Sequence, residues 1–117
     1  MLKDIEKYRF YLNKDVLVKV DRKLGEKHPN FDFIYPVNYG YIPNTLSEDN
    51  EEIDAYILGV FSPVDKFLGV CKAIICRYDD NENKLIVVPK DKNYTIEQME
   101  ALLEFQERFF KHKIIVE

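Results

Sequence analysis

The chain has 117 residues, of which 46% are hydrophobic and 32% charged, with a formal net charge of −4 at pH 7. This length is typical of one domain, so we expect residues 1–117 to form a single domain with its own core. The acidic balance argues against a nucleic-acid binder, because phosphate-backbone binding requires a basic surface. No apolar stretch reaches the roughly 18 residues of a membrane span. The charged start of the chain lacks an apolar signal segment, so we expect a cytoplasmic protein.

Strand-forming patterns dominate the chain up to Pro89. Runs rich in apolar and β-branched residues predict strands, and an aromatic run predicts a short strand or an extended segment. The strands are Asp15–Val20, Ile53–Phe61, Leu68–Tyr78 and Lys84–Val88, and the extended segment is Phe31–Pro36. A polar cluster at residues 79–83 separates the last two strands, which predicts a β-hairpin.

The pattern changes after Pro89. Thr95 and Gln98 have the spacing of a capping box, which predicts a helix over about residues 96–111 with Thr95 as its N-cap. Ile114–Val116 is apolar enough to add a terminal strand. Strands followed by a helix indicate an α+β fold, and short strands separated by Gly and Pro turns favour a small β-barrel.

Two cysteines lie within one predicted strand. An odd spacing places Cys71 and Cys76 on opposite faces of a regular strand, so we expect two buried free thiols and no disulfide between them. A zinc site would need more soft ligands than two cysteines and two separated histidines supply.

The segment from Glu48 to Asp54 is acidic at five of its seven positions and leads directly into an apolar run. Like charges this close repel one another, and a divalent cation among them removes the repulsion. Hard carboxylate oxygens suit Mg²⁺, Mn²⁺ or Ca²⁺. In an extended chain Glu52 and Asp54 project to one face and Glu51 to the other, and a bend would let Asp49 converge with Asp54. The alternative is a solvated acidic loop.

The predicted hairpin offers a second polar cluster. Asp80, Glu82 and Lys84 share one face at a period of two if the segment is extended. Two acids and one cation suit a metal-bound phosphate, because the acids bind the metal and the lysine contacts phosphate oxygens. The alternative is a polar turn with a lysine at the strand edge.

Two further segments carry candidate ligand contacts. Tyr35–Tyr41 is rich in tyrosine around Gly40, which permits an unusual backbone angle or a close approach. A tyrosine hydroxyl there could reach a ligand, although such rings ordinarily pack in a core. Arg22 and Lys27 supply counter-charge for an anion, or belong to an ordinary surface loop. The chain has no nucleophile motif and no glycine-rich phosphate loop, which favours metal-activated water over covalent catalysis.

The stretch YPVNYGYIPNTLSED at residues 35–49, followed by Ile53-Asp54, resembles the signature of the soluble inorganic pyrophosphatases, and KLIVVP at residues 84–89 adds to the likeness. The resemblance implies a small OB-type antiparallel β-barrel with one C-terminal helix. It implies hydrolysis of inorganic pyrophosphate, a small-molecule phosphate substrate, with Mg²⁺, or Mn²⁺, as cofactor. It also implies a homo-oligomer. The aromatic end of the predicted helix has more apolar surface than one face can bury, so Phe105 would lie in an interface, or would cover the barrel edge of a monomer.

The resemblance also assigns roles to residues of this chain. The implied metal ligands are Asp49, Asp54, Asp80 and Glu82. Asp80 is preferred to Asp79 because the period of two places it with Glu82. Glu51 stands where the family has an aspartate that helps activate water, so Glu51 and Asp54 are the catalytic candidates. The implied phosphate-binding residues are Tyr39 and Lys84, with Arg22 and Lys27 standing in for the lysine and arginine of the family.

The chain departs from the family pattern on the phosphate-binding side. The segment before Tyr35 is shortened to residues 22–34, and Lys19 stands where an acidic residue is expected. The late Tyr-Lys pair of the family is replaced by His112-Lys113, with Lys111 as another candidate. Two rival functions follow. One is a hydrolase of another phosphate ester or nucleotide, whose bulkier leaving group the shortened wall would admit. The other is a non-catalytic relative that binds a metal or a partner.

Overall fold

The computed structural model describes residues 5–47, 50–80 and 82–116. Within these ranges the chain forms two helices and six strands. In chain order they are α1 (Ile5–Arg9), β1 (Asp15–Arg22), β2 (Asn38–Ile42), β3 (Ile53–Ile57), β4 (Lys66–Arg77), β5 (Lys84–Val88), α2 (Ile96–Glu107) and β6 (His112–Ile115). Neither of these helices has the length and apolar character needed to cross a membrane.

Five strands close into a barrel in the order β1-β2-β3-β5-β4, because β4 also pairs with β1. The pairing of β3 with β5 is parallel, and the other pairings around the ring are antiparallel. β6 extends the sheet beyond β4. The predicted small α+β barrel of OB type with a C-terminal helix is confirmed, and the one parallel pair corrects the expectation of a wholly antiparallel sheet.

Apolar side chains pack on both faces of the barrel wall. The interior cluster includes Val18, Ile57 and Leu85, and Tyr8 of α1 packs against it. The cluster on the outer face includes Tyr56, Ile75 and Ile86, which pack with Met99 and Leu103 of α2. Helix α2 therefore lies against the outside of the barrel, beside the outward-facing side chains of β3, β4 and β5.

The local signals for α2 are confirmed at its start. Thr95 accepts a hydrogen bond from the backbone N–H of Gln98, and the Gln98 side chain accepts one from the Thr95 backbone N–H. The helix ends at Glu107, before the predicted end at about residue 111. The following residues turn back so that β6 can pair with β4.

Several elements differ from the sequence prediction. The short helix α1 was not predicted, and β3 ends at Ile57 and not at Phe61. Strand β2 was not predicted, because its Asn-Tyr-Gly-Tyr-Ile sequence contains a glycine and is flanked by Pro36 and Pro43, which are typical of turns. Phe31–Pro36, predicted as a short strand or an extended segment, is not a strand, and its pairing is an isolated bridge between Lys27 and Ile34.

A bulge in β4 changes which residues face the barrel interior. Cys71 pairs with Val87 and Ala73 with Ile86, so Lys72 is an additional residue relative to β5. Cys71 and Cys76 consequently both belong to the interior cluster, which corrects the expectation that they lie on opposite faces. Both are buried free thiols, as predicted.

Gly40 allows β1 and β2 to approach closely, one of the two roles predicted for it. A Cβ at this position would overlap the backbone carbonyl of Lys19 on β1. We expect Gly40→Ala to lower the free energy of unfolding by about 3 kcal/mol or more, because backbone atoms of a paired strand cannot move aside without breaking the sheet. Urea unfolding measures this loss.

Gly25→Ala is the matched control for that substitution. An added Cβ at Gly25 has no neighbour within 4 Å, and the positive φ of 92° is the only source of strain. Its cost should be about 1–2 kcal/mol. Equal losses in the two variants would contradict the close approach at Gly40.

Candidate active site

An open cleft with a volume of about 390 Å³ lies on the outer face of the barrel, beside the C-terminal end of α2. Its lining includes four carboxylates and three cations. These residues are Asp21, Asp54, Asp80, Glu82, Arg22, Arg77 and Lys84. Negative and positive side chains therefore line the same cleft. Carboxylates suit a metal ion and the cationic side chains suit a phosphate, so the lining can accommodate both together.

Lys84 lies at the floor of the cleft and joins two strands. Asp54 on β3 is the direct neighbour of Lys84 on β5 in the parallel pair. Lys84 Nζ donates to Asp54 Oδ2 at 3.0 Å and to the hydroxyl of Tyr39 on β2 at 2.7 Å. Tyr39 in turn donates its proton to Asp54 Oδ2 at 2.8 Å. The three side chains thus hold one another in fixed positions.

Exposure differs sharply within this group. The Lys84 side chain is 3% exposed, whereas that of Asp54 is 39% exposed and that of Glu82 is 44% exposed. Glu82 Oε1 lies 3.7 Å from Lys84 Nζ, so the same ammonium attracts carboxylates from β3 and from the β4–β5 hairpin. The cation is buried, and the two carboxylates remain accessible to a ligand.

Burial raises the pKa of Tyr39 well above its usual range, and the nearby charge of Asp54 raises it further. Ionisation of Tyr39 would place a second negative charge against Asp54 in a poorly solvated position. The hydroxyl therefore keeps its proton at neutral pH and acts as a stable donor to Asp54.

Arg77 forms a second, deeper ion pair with α2. Its Nε donates to Glu107 Oε1 at 3.0 Å and one terminal nitrogen to Glu107 Oε2 at 2.7 Å, a bidentate contact. The other terminal nitrogen contacts Asp80 Oδ2 at 3.1 Å. The guanidinium also lies 3.8 Å from the ring centroid of Phe110. Arg77 therefore connects the hairpin to the helix.

The buried Glu107 carboxylate also accepts a hydrogen bond from a tyrosine. The hydroxyl of Tyr56 donates to Glu107 Oε2 at 2.7 Å, and Gln106 Nε2 donates to that hydroxyl at 2.6 Å. Burial alone would lower the pKa of Arg77, but the hydrogen bonds and negative charge of Glu107 raise it above its usual range. Arg77 consequently stays charged although it is buried.

A bulge in β1 places two adjacent charged residues at the cleft. Val20 pairs with Gly40 and Arg22 with Tyr39, so Asp21 is the additional residue. Both Asp21 and Arg22 line the cleft. Burial raises the pKa of Asp21, and repulsion from Asp54 raises it further.

Most of the predicted site residues converge on this cleft. Six of them line it: Arg22, Tyr39, Asp54, Asp80, Glu82 and Lys84. Asp49, predicted as a metal ligand, lies outside the described residues. Glu51 is exposed on the loop before β3 and is not part of the lining. Lys27 is 70% exposed beside Asp32, and it too is absent from the lining.

The structure also distinguishes the remaining candidates. Asp79 Oδ2 accepts a hydrogen bond from the backbone N–H of Lys111 at 2.8 Å, so its carboxylate stabilises the turn before β6, whereas Asp80 lines the cleft. His112 Nε2 lies 2.8 Å from Glu100 Oε1 and is not part of the lining.

Sequence reasoning missed three charged residues of the site. Arg77 was treated only as part of a strand, and Glu107 only as part of a helix. Asp21 was not among the candidates, although an acid was expected at position 19, two residues earlier. The position of Asp21 next to Arg22, a predicted site residue, could have identified it. The bulge that places both residues at the cleft cannot be recognised from the sequence.

The carboxylates suit a hard divalent cation. Among residues 5–47, 50–80 and 82–116, no group of three or more acidic, His or Cys side chains forms a complete ligand set. Mg²⁺ does not need one, because it usually keeps several waters and binds through one or two carboxylates together with substrate phosphates. Asp54 and Glu82, both accessible and both beside Lys84, fit that requirement.

Removal of Glu107 should destabilise the protein strongly. Its side chain is 1% exposed, and Glu107→Ala would leave the buried Arg77 guanidinium without its main partner. We expect a loss of about 3–5 kcal/mol in the free energy of unfolding, measured by urea denaturation. Glu104→Ala is the control, because Glu104 is 59% exposed in its pair with Arg108 and should contribute less than about 1 kcal/mol. Comparable losses in the two variants would contradict this account.

Comparison with known proteins gives consistent results. The family model described as "Pyrophosphatase: Inorganic pyrophosphatase" matches residues 6–115. The chain is 34% identical over 90 residues to an inorganic pyrophosphatase of Saccharolobus solfataricus, a match that covers 74% of this chain and 49% of the relative. It is 34% identical over 88 residues to an inorganic pyrophosphatase of Haemophilus influenzae, covering 68% of this chain and 47% of the relative. The chain therefore spans about half the length of the curated relatives it matches.

Solved structures show the same fold. The crystal structure of inorganic pyrophosphatase from Ehrlichia chaffeensis superposes with a TM-score of 0.69 at 14% identity, covering 90% of this chain and 87% of that chain. An inorganic pyrophosphatase from Coxiella burnetii superposes with a TM-score of 0.61 at 19% identity, covering 90% and 86%. Because the family model extends over nearly the whole barrel and its helix, the chain belongs to the inorganic pyrophosphatase family.

Proposed function

We propose that this protein hydrolyses inorganic pyrophosphate to two phosphates, with Mg²⁺ as cofactor and Mn²⁺ as a substitute. The observation that supports the proposal most directly is the group formed by Lys84, Asp54 and Tyr39 at the floor of the cleft. A buried cation next to exposed carboxylates is suited to a substrate that is itself an anion bound to metal ions.

Carboxylates from two parts of the chain would hold the cation. Asp54 contributes from β3, and Asp80 and Glu82 contribute from the β4–β5 hairpin. Asp49 is proposed as a further ligand from the acidic loop. When bound, a hard divalent cation supplies positive charge to the phosphate oxygens and makes a water molecule more acidic.

The cations of the cleft would bind the phosphate oxygens. The Lys84 ammonium has three N–H donors. Two of them donate to Asp54 and Tyr39, and the third is available to a phosphate oxygen. Arg77 is held by Glu107 and keeps additional N–H donors on the side of Asp80. Arg22 approaches from β1. These groups stabilise the negative charge that develops on the phosphate as the P–O bond breaks.

The reaction requires a water molecule to attack one phosphorus atom while the bridging P–O bond breaks. The electron pair of that bond stays on the leaving phosphate, and the proton of the water moves to a nearby base. Glu51 and Asp54 are the two proposed acceptors, of which Asp54 lines the cleft. Tyr39 and Lys84 orient the Asp54 carboxylate through its Oδ2 and leave its other oxygen for this contact.

Asp54→Asn should remove activity, and because Asp54 also pairs with the buried Lys84, thermal unfolding verifies that the variant is folded. The amide is close in size to the carboxylate, but it is uncharged and cannot accept the proton. We expect phosphate release from pyrophosphate with Mg²⁺ to fall by about 100-fold or more. Chelation of Mg²⁺ by EDTA should abolish release from the unmodified protein.

Asp91→Asn is the matched control, since it removes an exposed carboxylate that does not line the cleft. It should leave the rate near that of the unmodified protein. An Asp54→Asn variant as active as the Asp91→Asn variant would refute the proposed role of Asp54. Absence of phosphate release from the folded, unmodified protein would refute the hydrolytic function itself.

The cytoplasmic location and the homo-oligomer stay predictions from the sequence. Phe105, a candidate for an interface, is half-buried within this chain. Its ring lies 5.3 Å from that of Phe33, 5.6 Å from that of Tyr35 and 6.0 Å from that of Tyr56, measured between centroids. This packing corresponds to the alternative in which Phe105 covers the barrel.

A further inference from the structure

One side of the cleft is aromatic, although pyrophosphate has no apolar surface. Its lining there includes His28, Phe31, Tyr35, Phe109 and Phe110, and these side chains continue directly into the charged floor. Hydrolysis of pyrophosphate alone gives no reason for such a wall. A substrate that carries a flat apolar group on a diphosphate would use both sides of the same cleft.

Phe31 and Phe109 form the accessible part of this wall. Their rings are nearly parallel, with centroids 5.5 Å apart and an interplanar angle of 12°. Phe31 is 49% exposed and Phe109 is 48% exposed, so about half of each side chain remains open to solvent. Flat rings presented in this way stack well on a nucleobase, which has a π-face of similar width.

The loop that carries Phe31 is built to hold the ring in place. His28 Nδ1 accepts hydrogen bonds from the backbone N–H groups of Asn30 at 2.9 Å and Phe31 at 3.1 Å. The His28 ring itself is stacked on Tyr35 with centroids 5.8 Å apart. Because burial and the charge of Arg22 lower the pKa of His28, this nitrogen remains an acceptor at neutral pH. Phe31 is therefore positioned by a defined turn.

Size and polarity agree with a nucleotide. The cleft volume of about 390 Å³ falls within the range of about 300–1,000 Å³ found for pockets that hold organic ligands. Asn30 also lines the cleft, and its side-chain amide supplies both a donor and an acceptor that the edge of a base can use.

We propose that the cleft also binds and hydrolyses nucleoside diphosphates, with the diphosphate on the charged floor and the base against Phe31 and Phe109. This inference rests on the proposed hydrolytic function. Water attacks the terminal phosphorus and forms a new P–O bond. The bond between that phosphorus and the bridging oxygen breaks, and its electron pair stays on the nucleoside monophosphate. The proton from water passes to the same carboxylate base as in pyrophosphate hydrolysis.

The test compares phosphate release from three substrates with Mg²⁺: pyrophosphate, ADP and methyl diphosphate. ADP and methyl diphosphate share the diphosphate monoester, and only ADP carries a base. We expect kcat/KM for ADP to exceed that for methyl diphosphate by about tenfold or more, the contribution of one stacked base. Equal values for these two substrates would overturn the inference.

Substitution of Phe31 tests whether the preference for ADP over methyl diphosphate depends on the aromatic wall. Phe31→Ala should reduce the ADP to methyl diphosphate ratio of kcat/KM by about tenfold. Phe61→Ala is the matched control, because Phe61 is 79% exposed and does not line the cleft, and it should leave that ratio unchanged. Phe109→Ala provides a second variant of the wall, and thermal unfolding verifies that each variant is folded. A ratio that is unchanged in both wall variants would overturn the inference.

The outcomes also separate this inference from the proposed function. Turnover of pyrophosphate without turnover of ADP overturns the nucleotide inference and leaves pyrophosphate hydrolysis standing. Turnover of none of the three substrates overturns both. Turnover of ADP with a ratio that depends on Phe31 supports both.

Discussion

The geometry of the cleft depends on the burial of the Lys84 ammonium. A buried charge without partners would cost several kcal/mol, so the folded state is stable only if Asp54 and Tyr39 stay within hydrogen-bond distance of Lys84 Nζ. The parallel pairing of β3 with β5 makes this possible, because it places Asp54 and Lys84 side by side on the outer face of the barrel. Stability and function therefore impose the same requirement on these three residues.

A second buried pair links the hairpin to the helix. Arg77 holds Glu107 on α2 and Asp80 on the hairpin, so the position of the carboxylates depends on how α2 packs against the barrel. A change in that packing would move Asp80 as well as Arg77. The aromatic wall depends on the same helix, since Phe109 lies two residues beyond its C-terminal end. The helix thus positions both sides of the cleft.

Local signals in the sequence were sufficient for much of this fold, and for part of the site. The capping box at Thr95 marked the start of α2, and the polar cluster before Lys84 marked the hairpin, because both depend on neighbouring residues. The bulges in β1 and β4 could not be predicted from the sequence, because an additional residue in a strand is defined only by the pairing with its partner strand. The bulge at Lys72 reverses the alternation along β4 and turns Arg77 from the interior to the outer face. Pattern reasoning therefore found Asp80 and Glu82 but missed the arginine beside them.

The central claim is that carboxylates from β3 and from the β4–β5 hairpin bind a divalent cation opposite the cations that bind phosphate. A crystal structure of the protein grown with Mg²⁺ and phosphate tests it most directly. The account predicts an ion in contact with Asp54 or Glu82, and a phosphate oxygen within hydrogen-bond distance of Lys84 or Arg77. A cleft without ion or phosphate at saturating concentrations, with Lys84 still bound only to Asp54 and Tyr39, would contradict it.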